Sequence, residues 1–190
     1  MSDFNVVVRG GFEGSAGWDG VGRARVEGDA LHIAGASDRE LVVPAERVAR
    51  IRFAHFPGTS TTRASWETKI WPQAGGDLLL ILAAPGQAGR YGPVMREFAA
   101  RVAEKGGLDR VMRGPGLGTA IVNFALSGCS VLALAILCLL FAIWDRTWWM
   151  WLIAAAASVG AVLLVAALLR RHWPRRVTSL DALADVLPAG

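Results

Sequence analysis

At 190 residues and 20.2 kDa, with 53% hydrophobic and 19% charged side chains and a mean hydropathy of +0.38, the chain is too apolar for a wholly soluble or disordered polypeptide. Two cysteines exclude a secreted disulfide scaffold. The formal charge of +4 is unevenly carried: residues 1–113 hold fifteen basic and thirteen acidic side chains, whereas residues 117–169 hold only Asp145 and Arg146.

The first part of the chain alternates with a period of two, the signature of half-buried strands. Phe4–Val8 opens the series. Val21–Glu27 sets Arg23, Arg25 and Glu27 on one face and Ala24 and Val26 on the other. Gly28-Asp29 predicts a turn into Ala30–Ile33, and Glu40–Val43 is a further short strand. Val48–Phe53 is expected to send Ala49, Ile51 and Phe53 inward and Arg50 and Arg52 outward. Arg63–Ile70 exposes Arg63, Ser65, Glu67 and Lys69 and buries Ala64, Trp66, Thr68 and Ile70, and Leu78–Ala83 reads as a more fully buried strand. The period then lengthens. After Gly92 and Pro93, Val94, Phe98 and Val102 recur every four residues, predicting a helix that ends at Gly106-Gly107. These elements predict an all-β half-open barrel capped by one α-helix, which covers interior and edges that water would otherwise reach.

A turn-rich linker, residues 108–116, leads to 28 residues without a charge (117–144), a link at 145–147 and a second apolar run ending at 169. Each run exceeds the roughly 20 residues needed to cross about 30 Å of hydrocarbon, so both are expected to span a bilayer as a hairpin. Trp144, Trp148, Trp149, Trp151 and Trp173 are expected at membrane interfaces, and Arg110, Arg113, Arg170, Arg171, Arg175 and Arg176 on the cytoplasmic side. Residues Met1–Gly10 show no basic region or long apolar run of a secretory signal. The expected location is a bacterial inner membrane, with the N-terminal domain and the C-terminus cytoplasmic.

Thr119, Asn123, Ser127 and Ser130 fall within roughly 80° of one another on a helix, and Ala156, Ser158 and Gly160 offer small or hydroxylated positions on the second. They are expected to pack helix on helix, or to form a homo-oligomer seam. Cys129 and Cys138, nine residues apart, point to opposite sides and cannot bridge. Residues 170–190 form a basic segment followed by an amphipathic helix, with Leu180, Leu183 and Leu187 opposite Asp181 and Asp185. It needs a surface to dock on, either its own domain or a partner.

No chemistry-bearing constellation is evident. His32, His55 and His172 are isolated, and no HExxH or CxxC occurs. The glycines of Gly10–Gly17 lack the Lys-Ser/Thr of a phosphate-binding loop. The expectation is a protein without catalytic residues, cofactor, metal, small-molecule substrate or nucleic-acid partner. Candidate contact surfaces are Phe56, beside Pro57-Gly58 in a loop, and the outward arginines Arg23, Arg25, Arg50 and Arg52.

The succession of short strands, the arginine-bearing Ala49-Arg-Ile-Arg52, the phrase Trp66-Glu-Thr-Lys-Ile-Trp-Pro72 and a single terminal helix resemble a bacterial pleckstrin-homology-like (PH-like) domain over about residues 3–107. That resemblance implies an interaction or oligomerising module. The lysine-rich mouth of inositide-binding relatives is replaced here by Gly28-Asp29. The organisation expected is thus a PH-like barrel with its helix (1–107), a linker (108–116), spans at 117–144 and 148–169 joined by a periplasmic turn (145–147), and a cytoplasmic tail (170–190). The expected function is that of a membrane-tethered scaffold presenting its domain to the bilayer, to other proteins or to copies of itself. The alternative is a small accessory subunit of a larger membrane complex.

Overall fold

The computed structural model describes residues 4–12, 18–35, 39–58, 63–75, 77–145 and 148–188, excluding the side chains of Trp18, Asn123, Phe124, Ser127, Ala142, Asp145, Met150 and residues 168–172. Two compact units emerge: residues 1–114 together with 175–190, and residues 115–174.

In the first unit the described residues form one curled nine-stranded sheet, a half-barrel. Its strands are β1 (Phe4–Gly10), β2 (Trp18–Glu27), β3 (Ala30–Gly35), β4 (Glu40–Pro44), β5 (Val48–Phe56), β6 (Ser65–Pro72), β7 (Leu79–Ala83), β8 (Val111–Arg113) and β9 (Arg175–Arg176). They lie in the order β4-β3-β2-β1-β7-β6-β5-β8-β9, antiparallel except that β8 runs parallel to β5. Alternation is the cause of the layering. Phe4, Val6 and Val8 are buried while Asn5 and Arg9 face out, and the same rule places Leu31, Ile33, Leu41 and Val43 inside. Gly28, with φ +58°, makes the two-residue turn that sets Glu27 opposite Ala30.

One strand departs from simple alternation. Val48 pairs with Pro72 but Arg50 pairs with Trp71, so Ala49 is the extra residue of a β-bulge. The bulge turns Val48 inward and leaves Ala49 exposed, contrary to the expected inward Ala49. Ile51 and Phe53 are buried as expected. On β6, Thr68 and Ile70 are buried and Trp66 is half-buried, whereas Ala64, just ahead of the strand, is exposed.

Helix α1 (Ala88–Gly106) lays Tyr91, Val94, Met95, Phe98, Ala99 and Val102 on the concave side of the sheet. Tyr91 meets Phe4 edge to face, with ring centroids 5.4 Å apart. The helix begins before Pro93, which sits on its exposed side. Gly107, with φ +88°, ends it by donating its N–H to the Ala103 carbonyl at 2.8 Å.

Helix α1 is not the last element of the unit, and here the expected architecture is corrected. Beyond it, Val111–Arg113 adds to the sheet beside β5, and the chain returns at residue 175 to pair β9 with β8. Val177, Leu183 and Leu187 then enter the core. The tail segment is a short 3-10 helix, Leu180–Asp185, in place of the expected α-helix. It is clamped by Arg113, whose guanidinium donates to the Ala182 carbonyl at 3.0 Å and meets the Asp185 carboxylate at 2.6 Å.

Helix α1 also receives the end of the tail. A Cβ at Gly92 would collide with the Pro188 carbonyl oxygen. Gly92→Ala gains about 1 kcal/mol of helix propensity but loses this seat. The variant is expected to melt several degrees lower and to become protease-sensitive beyond residue 174, which limited proteolysis with mass readout checks.

The second unit is a pair of helices, α2 (Leu117–Asp145) and α3 (Trp148–His172). Beyond Ala120, which is buried near the start of α2, the least exposed described positions recur as Gly128, Val131, Ala135 and Cys138 on α2 and Ala154, Ala157, Ala161 and Val165 on α3. Steps of three and four residues are the spacing of two helices packed along one seam.

The expected membrane hairpin is corrected at this point. Both helices are present, but among the described residues no helix is long and apolar enough to cross a membrane. The transmembrane assignment of 117–144 and 148–169, the periplasmic turn and the inner-membrane location with cytoplasmic ends are therefore not supported.

Candidate interaction surfaces

The outer face of the half-barrel carries two separate charged groups. On β2–β4, Arg25 bridges Glu27 at 3.1 Å and Glu40 at 3.8 Å, and His32 meets the same Glu40 at 2.8 Å. Lys105, near the end of α1, holds Asp29 of the β2–β3 turn at 2.7 Å. The bonded ammonium holds the Asp29 carboxyl below its ordinary value, and Asp29 in turn raises Lys105. This end of the sheet is a mixed, neutralised network.

The second group lies on β5 and β6. The bulge at Ala49 puts Arg50 opposite Trp71, and the next outward pair is Arg52 opposite Lys69. Both guanidinium carbons sit over the Trp71 indole, Arg50 at 5.3 Å and Arg52 at 5.1 Å from the ring centroid. The row continues sideways from Arg52 to Met112 on β8 and Arg176 on β9. Glu67 is the nearby carboxylate, and Lys69 occupies it at 2.9 Å. The Nε of Arg52 is buried without a hydrogen-bond partner. Burial pushes the Arg52 guanidinium below its ordinary value, Glu67 pulls it back up, and the like charge of Arg50 pushes it down again.

The four outward arginines of the sequence thus do not form one basic face. Arg23 and Arg25 on β2 are four strands away from Arg50 and Arg52 on β5, about 19 Å along the sheet at ordinary strand spacing. Trp71, which gathers the two arginines, is not legible as part of a cluster from the sequence alone. Its signal was the count from Arg50 across the hairpin, which requires knowing that Ala49 bulges. Phe56, at the end of β5, is half-buried, and His55 stacks on Trp66 with centroids 5.0 Å apart. The rest of the Phe56 loop, residues 59–62, lies outside the described residues.

Several arginines of the expected membrane flank are structural in this fold. Arg110 crosses Gly106 and donates to the carbonyls of Val48 at 3.0 Å and Glu46 at 3.4 Å. Arg113 holds the tail, as described, and Arg175 and Arg176 form β9 with exposed side chains. Arg170 and Arg171 lie near the end of α3, their side chains outside the described residues. Leu183 and Leu187 are core residues and Leu180 packs against that core, so the three present no free apolar stripe.

On the helical unit, Trp144, Trp148, Trp149, Trp151 and Trp173 are exposed. Thr119 is exposed, and the side chains of Asn123 and Ser127 lie outside the described residues. Ser130 donates to the Leu126 carbonyl at 2.9 Å and Ser158 to the Ala154 carbonyl at 2.8 Å, each within its own helix. Ala156 and Gly160 are exposed rather than on the seam. An open groove of about 390 Å³ runs between α2 and α3, lined by Leu132, Ala135, Ile136, Leu139, Trp151, Ala154, Ala155 and Ser158. Outside it, Leu126, Leu134, Leu140, Phe141, Leu152, Val159, Val162 and Leu163 are all more than half exposed.

No protein-family model matches the chain, and no curated protein or solved structure is significantly similar to it. The resemblance to the bacterial pleckstrin-homology-like family is therefore not supported. The fold itself is a curled half-barrel to which strands and a core-forming tail are added after the helix.

Proposed function

We propose that the chain is an interaction protein: a half-barrel that carries an apolar helical pair for the recognition of other protein chains. The observation that carries this reading is the apolar surface of the second unit. With α2 and α3 packed on each other, leucines, valines and tryptophans remain exposed along both helices. A helix apolar on every side is normally covered, and contiguous apolar patches of this kind mark sites of association. Association through such a surface is driven by apolar area removed from water, with specificity set by the fit of side chains.

The test is the mass of the full-length chain, extracted gently, with whatever accompanies it. A discrete particle, either a multiple of 20.2 kDa or a reproducible set with foreign chains, is the expected result, and the two cases separate a self-assembling scaffold from an accessory subunit. Leu140→Glu or Leu163→Glu is expected to dissolve that particle while leaving the far-ultraviolet circular dichroism of the chain intact. A lone chain whose helices are protected by lipid vesicles, with no protein companion, overturns the proposal.

A further inference from the structure

We infer that the outer face of β5 and β6 is a second interaction surface, specific for an extended acidic protein segment that presents carboxylates at alternate positions. Two observations converge. The first is unbalanced charge: Arg50 and Arg52 share one indole, neither has an ion pair among the described residues, and Glu67 is already engaged by Lys69. Arg176 adds a further cation in the same row, beyond Met112. Two like charges held side by side over one ring form an arrangement that an arriving anion relieves.

The second observation is spacing. Residues two apart on a strand repeat at about 7 Å, and the same repeat separates alternate side chains of an extended peptide. Arg50 and Arg52 stand two residues apart on β5, so a segment with carboxylates at alternate positions repeats with the backbone that carries them. A guanidinium over a ring face still offers a planar fork of N–H donors, the geometry of bidentate carboxylate binding. The surroundings favour a peptide over a nucleic-acid strand: half-buried Leu80, Leu82 and Met112 share this face, and they suit the intervening side chains of a protein segment.

The experiment is fluorescence anisotropy of the full chain with a short labelled peptide in which Glu alternates with Thr, competed by the same peptide with Gln for Glu and by oligodeoxythymidylate. Binding is expected to fall by about tenfold or more in the double variant Arg50→Gln/Arg52→Gln. It is expected to persist in Arg23→Gln/Arg25→Gln, which removes the same charge from β2, four strands away. Trp71→Leu, which removes no charge, is expected to weaken binding as well. Should the double variant fail to fold, Arg50→Gln alone, at an exposed position, carries the test. Absence of binding, equal losses in both double variants, or stronger binding of the oligonucleotide overturns the inference.

Discussion

A chain ended after Gly114, or after Pro174, is expected to lose its cooperative thermal transition, whereas a chain in which Gly114 is joined to Arg175 through Asn-Gly is expected to keep it. The reason lies in the discontinuity of the first unit. Val177, Leu183 and Leu187 are buried in its core, and burial of three aliphatic side chains contributes about 5–9 kcal/mol. That is comparable with the whole stability of a small domain, about 5–15 kcal/mol. Truncation also removes β9 and the Arg113–Asp185 pair. The shortened chain loses none of these. Arg113 and Arg175 are already register partners in antiparallel strands, so a short turn rich in Asn and Gly connects them without strain. Circular dichroism melts of the three chains decide the matter. If residues 1–114 alone melt at the temperature of the intact chain, the tail is not part of the folding unit.

How far the fold was legible follows the same line. Seven strands and α1 were readable because each repeats its period long enough to be recognised, five to ten residues at period two or a full apolar helical face. β8 and β9 were not, since three and two residues carry no period. Their arginines, flanking apolar runs, took on the appearance of topology markers. Arg110 and Arg113 show how a charge pattern in sequence leaves its partner open: each is bonded to backbone carbonyls far along the chain. The leucine spacing of the tail correctly indicated burial, but a six-residue 3-10 helix and an α-helix share that spacing closely enough to be confused. On β5 a single inserted residue exchanged the roles of Val48 and Ala49 and created the Arg50–Trp71–Arg52 cluster. Bulges are set by pairing with the neighbouring strand, which no single strand displays. The apolar runs at 117–144 and 148–169 indicated two helices, and both are present; their reading as membrane spans came from composition, and among the described residues no helix is long and apolar enough to cross.

Tyr91 provides the sharpest test of the core itself. It is the chain's one tyrosine, fully buried beneath the sheet, and its hydroxyl bonds that of Thr68, the one buried polar side chain among the described residues. Burial raises its ionisation well above the ordinary tyrosine value, the Thr68 bond lowers it somewhat, and Glu67 adds to the rise. A group whose folded value lies above its unfolded one contributes its full stabilisation below the unfolded value, near pH 10, and loses it as pH climbs toward the folded value. The loss is about 1.4 kcal/mol per pH unit. An alkaline titration is therefore expected to show no tyrosinate absorbance until the protein unfolds, and then to show it in the same transition as the loss of circular dichroism. Tyr91→Phe strands the Thr68 hydroxyl in the core and is expected to cost about 1–3 kcal/mol at neutral pH, while its stability declines less steeply above pH 10. Adding Thr68→Val to that variant removes the stranded group and is expected to recover part of the loss, as a double-mutant cycle measures. Tyrosinate appearing at its ordinary pH in the folded chain would mean that water reaches the hydroxyl, and the packing of α1 against β6 would have to be redrawn.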